Sequence, residues 1–341
     1  MKEKKKTLLY IGNKLANKGG TPTVIDTLSE QLIADGYVVI TASDKKNKAH
    51  RLLEMVATFF RVRHRVNAVL IDTYSTKNFY FAILIGSLCR TYNIPYFPIL
   101  HGGNLPQRIA LHPRKSVKYF GGARLNIAPS YYLLKAFEAE GFTNLEYIPN
   151  AIEVEKYPFK PRKKVQPNLL WVRSFSEIYN PLLALEVLEQ LIHNGHKASL
   201  CMVGPEKDGS LAKCKEVAAR KSLPVTFTGL LSKESWIELS TESDVFINTT
   251  NFDNLPVSII EAMALGFPIV STNVGGLPYL IENEVDGFLV PPENAEAMVN
   301  AIELLCVDQN ISEAMSQAAK LKVENYNWSN IRESWQKVLN F

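Results

Sequence analysis

Residues 252–276 read FDNLPVSIIEAMALGFPIVSTNVGG, and this stretch decides the fold prediction. Its pattern predicts a turn at Asn254–Pro256, a helix over Val257–Leu265, and a strand that ends in a glycine pair. Two acids, Asp253 and Glu261, flank the start of the helix. Backbone N–H groups at a helix start attract phosphate, and carboxylates accept hydrogen bonds from hydroxyls. The stretch therefore suits a ligand that is both phosphate and sugar.

The rest of the chain alternates apolar runs with amphipathic stretches, which is typical of parallel, doubly wound sheets. The alternation stops over 155–168, where three prolines and a run of Lys and Arg predict an interdomain linker. We expect one α/β domain over 1–160, a second over 165–324, and a final helix at 325–341 with Ser329 as its N-cap. The predicted strands are 7–12, 38–42, 68–74, 96–101, 125–129, 145–149, 169–173, 199–203, 225–228, 244–248 and 268–271.

Composition limits the function classes. The chain has 341 residues, of which 46% are hydrophobic and 21% charged, as in a soluble globular protein. No apolar run reaches the length of a membrane span, and the N-terminal MKEKKK does not open a signal peptide. Four cysteines show no metal or redox spacing, so we expect a reducing cytoplasm.

The charge distribution is uneven. Residues 1–164 hold 26 Lys and Arg against 12 Asp and Glu, whereas 165–341 hold 12 against 22. Either the basic half faces an anionic bilayer or a pyrophosphate-linked acceptor, or the two halves attract each other. The predicted helix Ala49–Arg63 has basic ends, which fits a membrane-surface helix or an ordinary core helix. Its apolar face is predicted to hold Leu52, Leu53, Val56, Phe59 and Phe60.

The acids at positions 253 and 261 resemble the acid-x7-acid signature of glycosyltransferase family four. That family has the GT-B fold, in which two Rossmann-like domains face each other across a cleft. The resemblance implies that Glu261 holds the ribose hydroxyls of a nucleotide-sugar donor. It also implies that Asp253, where the family usually has Glu, touches the transferred sugar, and that the final helix crosses back to the first domain.

Two more positions match the family. The resemblance implies that His101, which ends a strand before two glycines, lies near the transferred sugar, although such a His can also be structural. It implies that Arg173 clamps the donor pyrophosphate together with a Lys five residues later, but this chain has Ile178 there. A phosphate-clamping cation can account for orders of magnitude in rate. Candidate replacements are Tyr179, Asn180, Lys207 and Lys233.

Glycine-rich turns complete the predicted site. Gly19 and Gly20 match the doublet that lines the cleft in the family, although a flexible loop is the alternative. The chain has no G-x-G-x-x-G, so a dinucleotide cofactor is poorly supported. Gly229 and Leu230 would border the nucleotide base through their backbone. The donor loop would contribute Leu255, Val257 and Ser258, and Ser130 and Asn150 would lie at the cleft rim or cap helices or turns.

The resemblance implies a retaining glycosyltransferase with a nucleoside-diphosphate sugar as donor and a glycan or lipid-linked acceptor. We expect polysaccharide, glycolipid or cell-envelope glycan synthesis in the cytoplasm, with peripheral contact at the inner membrane face. No Asp-x-Asp stands at a strand end, and the resemblance implies that no metal is required; we also expect no nucleic-acid partner. The alternatives are a nucleotide-sugar epimerase of the same fold and a non-catalytic nucleotide-sugar or glycan-binding protein; an NAD-dependent dehydrogenase is a distant third.

Overall fold

The computed structural model describes residues 5–14 and 23–340. The chain divides into two compact units, one made of residues 1–151 and 331–341 and the other of residues 152–330. The first unit is therefore discontinuous along the chain, and the second is continuous. The predicted glycine doublet Gly19-Gly20 lies outside the described residues.

The first unit is a parallel six-stranded sheet with the strand order β2-β1-β3-β4-β5-β6. Its central strands are almost continuous runs of buried apolar residues, as expected for a parallel sheet covered on both faces. The strands are β1 (Thr7–Ile11), β2 (Val38–Ala42), β3 (Ala68–Thr73), β4 (Tyr96–Leu100), β5 (Asn126–Ala128) and β6 (Leu145–Tyr147). The helices are α1 (Val24–Ala34), α2 (Lys48–Val62), α3 (Asn78–Thr91), α4 (Leu105–Leu111), α5 (Pro113–Phe120) and α6 (Tyr131–Ala139).

The second unit is another parallel six-stranded sheet, ordered β12-β11-β10-β7-β8-β9. Helices cover both faces and bury two apolar clusters against it. The strands are β7 (Asn168–Val172), β8 (Ser199–Val203), β9 (Val225–Gly229), β10 (Val245–Asn248), β11 (Ile269–Thr272) and β12 (Phe288–Val290). The helices are α7 (Pro181–His193), α8 (Ser210–Arg220), α9 (Lys233–Leu239), α10 (Val257–Ala264), α11 (Leu277–Leu280), α12 (Ala295–Val307) and α13 (Gln309–Val323).

The prediction of an α/β chain with two Rossmann-like sheets is confirmed. In each sheet the chain starts at a central strand, builds outward on one side, and then resumes on the other side. The resulting switch points lie between β1 and β3 and between β7 and β10. Ligands of open α/β sheets bind beyond the carboxyl ends of the strands at such points.

The last helix, α14 (Trp328–Leu339), ends in the first unit. The Lys6 ammonium donates to the Leu339 carbonyl oxygen over 2.9 Å, and Trp335 is buried. The predicted Ser329 cap is wrong, because Ser329 lies inside the first turn of the helix. The Asn327 side chain caps the helix instead and accepts from the Ser329 N–H at 3.4 Å.

The segment predicted as a linker packs into the second unit. Arg162 is 3% exposed, and its guanidinium donates to the carbonyl oxygens of Leu265, at 2.8 Å, and Ser240, at 3.1 Å. The same guanidinium lies 4.0 Å from the Phe267 ring centroid. Burial lowers the pKa of Arg162 to about 10, so the side chain stays charged at neutral pH. The unit boundary accordingly falls between residues 151 and 152, upstream of this segment.

The structure corrects one predicted helix face. In α2, Phe59 is fully buried, but Leu53 is 66% exposed and Phe60 is 38% exposed. Arg51 takes a buried position instead, and its guanidinium donates to the Asn13 side-chain oxygen at 2.8 Å. The apolar stripe of α2 is therefore rotated from the predicted one, because Arg51 anchors the loop that follows β1.

Candidate functional site

The second unit places two predicted residues together at its switch point. Arg173 follows β7 directly, and Asp253 lies in the loop after the neighbouring strand β10. Their guanidinium and carboxylate form an ion pair, with side chains 16% and 15% exposed. Both charged groups are largely withdrawn from water, so an anion that reaches Arg173 meets a weakly screened cation; we call the surroundings of this pair the Arg173 recess.

The Arg173 guanidinium is oriented by packing as well as by charge. It stacks 4.5 Å from the centroid of the Tyr179 ring. Burial lowers the Arg173 pKa, although Arg side chains remain protonated in proteins. Its Nε–H is buried and has no hydrogen-bond partner among the described residues. Such an orphaned donor inside a recess calls for a ligand or ordered water.

In the loop after Arg173, the Asn180 side chain is engaged away from Arg173, and its amide donates to the Asn251 side-chain oxygen at 3.4 Å. Asn180 adopts a left-handed conformation, and its side-chain oxygen caps α7 by accepting from the Leu183 N–H at 3.4 Å. The Ile178 carbonyl oxygen accepts from the Asn251 N–H at 2.8 Å, which ties this loop to the end of β10. The Ile178 side chain, at the position of the expected Lys, is 42% exposed.

Glu261 is on α10 and is 5% exposed. Its Oε1 accepts a hydrogen bond from the Tyr157 hydroxyl at 2.7 Å and pairs with the Lys233 ammonium. Burial, and then the charge of Glu261, raise the Tyr157 pKa, so the phenol stays a donor. The described residues do not hydrogen-bond Oε2. Lys233, a candidate phosphate-binding cation, thus pairs with Glu261, the residue predicted to hold the ribose hydroxyls.

A glycine pair fixes the backbone of the loop that carries Asp253. The Gly276 N–H donates to the Asp253 carbonyl oxygen at 2.9 Å. A Cβ added at Gly275 would overlap that same oxygen, and one added at Gly276 would overlap the Asn254 carbonyl oxygen. Gly275 also has a φ of +55°, which favours glycine. The predicted glycine turn therefore sets the position of Asp253 through backbone contact.

Replacing Gly275 with alanine should destabilise the chain by more than the cost of a left-handed alanine alone. Gly209→Ala is a matched control, since Gly209 has a φ of +91° and open space where the added methyl group would lie. We expect a loss of about 1–2 kcal/mol for the control and at least about 1 kcal/mol more for Gly275→Ala from the overlap. Urea unfolding of both variants measures the difference. Equal losses would contradict the close packing of Gly275 on Asp253.

Helix α10 begins beside this loop. The helix starts at Val257, as predicted, with Pro256 as its N-cap, and Gly266 follows its end with a φ of +82°. The Ser258 hydroxyl in the first turn is buried and has no partner among the described residues. A helix start with a free hydroxyl can bind a phosphate. The predicted donor loop of Leu255, Val257 and Ser258 is thus placed at the start of α10.

The carboxyl ends of β7, β8 and β9 are held together by two glycines. The Gly204 N–H donates to the Gly229 carbonyl oxygen at 2.8 Å. A Cβ on Gly204 would overlap the Arg173 carbonyl oxygen. The side chain of the next residue after Gly229, Leu230, is 52% exposed. The predicted base-binding backbone at Gly229 and Leu230 therefore lies two strands away from β7, at the same edge of the sheet.

The first unit places His101 at the carboxyl end of β4. Its Nε2 lies 2.8 Å from Oδ1 of Asp72, which lies near the end of β3 with a fully buried side chain. The Tyr10 hydroxyl donates to the same Oδ1 at 2.9 Å. Ser130 caps α6 by accepting from the Leu133 N–H at 3.2 Å, which fits the capping interpretation. The sequence pattern did not single out Asp72 or Tyr10.

Two features are absent from residues 5–14 and 23–340. These residues form no group of three or more His, Cys, Asp or Glu side chains arranged to hold a metal ion. They include no helix that is both long and apolar enough to cross a membrane.

Comparison with solved structures identifies the class of fold. The structure of HepE of Anabaena in complex with UDP and glucose superimposes on this chain with a TM-score of 0.77 at 17% identity. The superposition covers 98% of this chain and 99% of the HepE chain. Sucrose-phosphate synthase of Thermosynechococcus elongatus gives 0.81 at 16% identity over 98% of both chains. The predicted GT-B class of two Rossmann-like units is confirmed at the level of the fold.

A sequence match agrees with this fold. Residues 153–322, just under half of the chain, match the family model described as Glycosyl transferases group 1. The match begins at the unit boundary and includes Tyr157, Arg173, Asp253 and Glu261.

Curated relatives are similar over part of their length. A sulfoquinovosyl transferase of Arabidopsis thaliana is 28% identical over 42% of this chain and 28% of its own. An Escherichia coli UDP-Gal:alpha-D-GlcNAc-diphosphoundecaprenol alpha-1,3-galactosyltransferase is 24% identical over 53% and 50%. The amylovoran biosynthesis glycosyltransferase AmsK of Erwinia amylovora is 31% identical over 51% and 44%. These matches span half of each relative or less.

Proposed function

We propose that this protein is a retaining glycosyltransferase that moves a sugar from a nucleoside-diphosphate sugar to an acceptor hydroxyl. One observation carries the proposal. The partly buried Arg173–Asp253 pair lies at the switch point of the segment that matches the group 1 glycosyltransferase model, and Asp253 is on the loop that opens the helix carrying Glu261. Cation, helix start and carboxylate are the groups that a pyrophosphate and a ribose need.

Each part of the donor has a partner in the proposed site. Arg173 and the start of α10 bind the pyrophosphate, and the open Oε2 of Glu261 accepts from a ribose hydroxyl. Asp253 contacts the transferred sugar, and the backbone at Gly229 and Leu230 borders the base. UDP is the first nucleotide to test, because HepE was crystallised with UDP and the E. coli relative is named for UDP-Gal.

A thermal-shift panel of UDP, GDP, ADP, CMP and dTDP tests the donor site without an acceptor. Each nucleotide is used at about 100 times an assumed micromolar Kd. A specific ligand adds about 2.7 kcal/mol to the free energy of unfolding at that ratio, which raises Tm by several degrees. We expect one clear hit, UDP. A panel without any shift would contradict the proposed donor site.

The acceptor and stereochemistry need a second measurement. We propose a glycan or lipid-linked acceptor bound by the first unit, a donor sugar transferred with retention, and no metal requirement. Incubating the protein with the matching nucleotide sugar and a panel of glycoside acceptors, then reading the product's anomeric coupling by NMR, tests retention. Equal rates with and without EDTA are expected, and an inverted product would refute the retaining assignment.

A non-catalytic nucleotide-sugar-binding protein is the second candidate. The observation that favours it is the exposed Ile178 at the position of the usual phosphate-binding Lys. Tight UDP binding with no transfer to any acceptor would support this candidate. Interconversion of the donor sugar without an acceptor would instead support an epimerase.

We further propose that the basic first unit contacts an anionic membrane through the carboxyl end of α2. Arg63 lies 5.3 Å from the Phe60 ring centroid and 5.0 Å from the Tyr92 ring centroid. Phe60 is 38% exposed and Tyr92 is 41% exposed. Exposed aromatic and Arg groups suit a lipid interface. The protein should sediment with phosphatidylglycerol vesicles more than with phosphatidylcholine vesicles. If Phe60→Ser sediments with phosphatidylglycerol vesicles as well as the wild-type protein does, the proposed membrane surface is refuted.

A further inference from the structure

Asp72 lies at the switch point of the first unit, between β1 and β3. Its side chain has no exposed surface, yet its Oδ1 receives two contacts, from the Tyr10 hydroxyl at 2.9 Å and from Nε2 of His101 at 2.8 Å. Its Oδ2 is buried without a partner among the described residues. A Cβ on Gly12 would overlap Oδ2, so glycine is needed beside the carboxylate. A carboxylate held so closely is a built feature rather than an incidental contact.

The direction of the hydrogen bonds follows from the groups present. Burial, and then the charge of Asp72, raise the Tyr10 pKa far above its ordinary range, so Tyr10 is always a donor. An ionised carboxylate accepts hydrogen bonds and cannot donate them. His101 must therefore carry its proton on Nε2 to contact Oδ1. In the neutral ring this leaves Nδ1 as an acceptor, and the hydrogen bonds of the described residues leave Nδ1 unused.

Packing holds the ring in place. The Tyr74 ring lies 5.3 Å from the His101 ring at an angle of 33°. The His101 N–H donates to the Thr73 carbonyl oxygen at 2.9 Å, and a Cβ on Gly102 would overlap the Ser75 backbone nitrogen. Both the backbone and the ring plane are thus set by the end of β3. The contact with Asp72 adds the choice of which ring nitrogen carries the proton.

We infer that Asp72 is a positioning residue that keeps the His101 proton on Nε2 and so presents Nδ1 as an acceptor to a substrate hydroxyl. The substrate part of this inference rests on the proposed glycosyltransferase function. The tautomer itself does not rest on that function. A neutral acceptor at this position selects substrates that offer an O–H, and a substrate lacking that hydroxyl would leave Nδ1 unpaired.

Long-range ¹H–¹⁵N NMR of the histidine-labelled full-length protein tests the tautomer directly, with His101→Gln to assign the signal among six histidines. We expect the wild-type His101 proton on Nε2. In Asp72→Asn the amide can donate or accept, so both tautomers should be populated, and kcat/KM for transfer should fall in proportion to the fraction of molecules that carry the proton on Nδ1. A proton on wild-type Nδ1 would overturn the inference, as would an Asp72→Asn spectrum that keeps the wild-type tautomer.

Two further variants separate positioning from general damage. His196 and Glu303 form a matched pair, 3.0 Å apart, in the second unit, and Glu303→Gln should alter the His196 signal without changing transfer. In His101→Asn the side-chain oxygen is three bonds from Cα, as Nδ1 is in histidine, whereas in His101→Gln it is four bonds away. His101→Asn should therefore retain about tenfold more activity than His101→Gln. The reverse order would overturn the inference. A wild-type protein with the expected tautomer but no transfer activity would refute the proposed function and leave the Asp72 assignment standing.

Discussion

Arg173→Ala should lower kcat at saturating donor by about a thousandfold, the upper range for loss of one group that stabilises developing charge. The leaving pyrophosphate gains negative charge as the sugar departs, and Arg173 is the cation that the structure places in the recess of the second unit. Its guanidinium is already oriented by Asp253 and by the Tyr179 ring 4.5 Å away. Little reorganisation is then needed during the reaction. Steady-state rates at several donor concentrations separate kcat from KM.

Arg173→Lys and Lys233→Ala are the informative comparisons for this variant. Lysine keeps the charge but loses the planar fork that matches phosphate, so an intermediate loss is expected. Lys233 pairs with Glu261 rather than with the Arg173 recess, so its removal should mainly raise the donor KM. Losses of equal size in kcat for Arg173→Ala and Lys233→Ala would mean that the phosphate clamp is misassigned.

Glu261→Ala should raise the Kd for the cognate nucleoside diphosphate by about 100-fold. Hydrogen bonds to a charged group contribute about 1.5–3 kcal/mol each, and the open Oε2 of Glu261 is the proposed acceptor for the ribose hydroxyls. The binding surface would lose these hydrogen bonds while the Arg173 recess remains. Isothermal titration with UDP measures the change, and the exposed Glu296→Ala should leave the Kd unchanged.

The Tyr157 hydroxyl needs its own control, because it donates to Glu261 at 2.7 Å and would be left buried without an acceptor. Tyr157→Phe removes only that hydrogen bond and leaves Oε2 in place, so it should change the Kd less than Glu261→Ala does. Thermal unfolding of the variants without nucleotide reports the structural cost separately. An unchanged UDP affinity in Glu261→Ala would refute the ribose assignment.

Much of the sheet could be predicted from sequence because each long parallel strand is a local apolar run. Sequence reasoning misses the strand β12, which has only three residues between Gly287 and Pro291, whereas the equally short β5 and β6 lie within five-residue runs predicted as strands. Helices α4 and α5 escape prediction because each is short and carries a proline in its first turn, which in sequence indicates a break as readily as a start. The acids at 253 and 261 can be found because both lie in one continuous stretch.

The site partners that sequence reasoning misses come from distant parts of the chain. Tyr157 meets Glu261 across 104 residues, and it lies in a segment whose prolines and charges predict a linker. Asp72 is a single acid at the end of an apolar strand, 29 residues before His101. The acid at the strand end could have indicated a functional residue, but its pairing with His101 depends on the order of the strands in the sheet. Strand order is a property of the folded sheet, which no local pattern contains.

The discontinuity of the first unit has a consequence for synthesis on the ribosome. Domains usually fold in the order in which they emerge. Here residues 152–330 can complete their own unit first. The strands of the first unit are made earlier, but the end of α14, which carries Trp335 and the Leu339 carbonyl oxygen that accepts from Lys6, is made later. The nascent first sheet therefore remains without that covering helix until the whole second unit has been translated, so the unit that begins first is completed last.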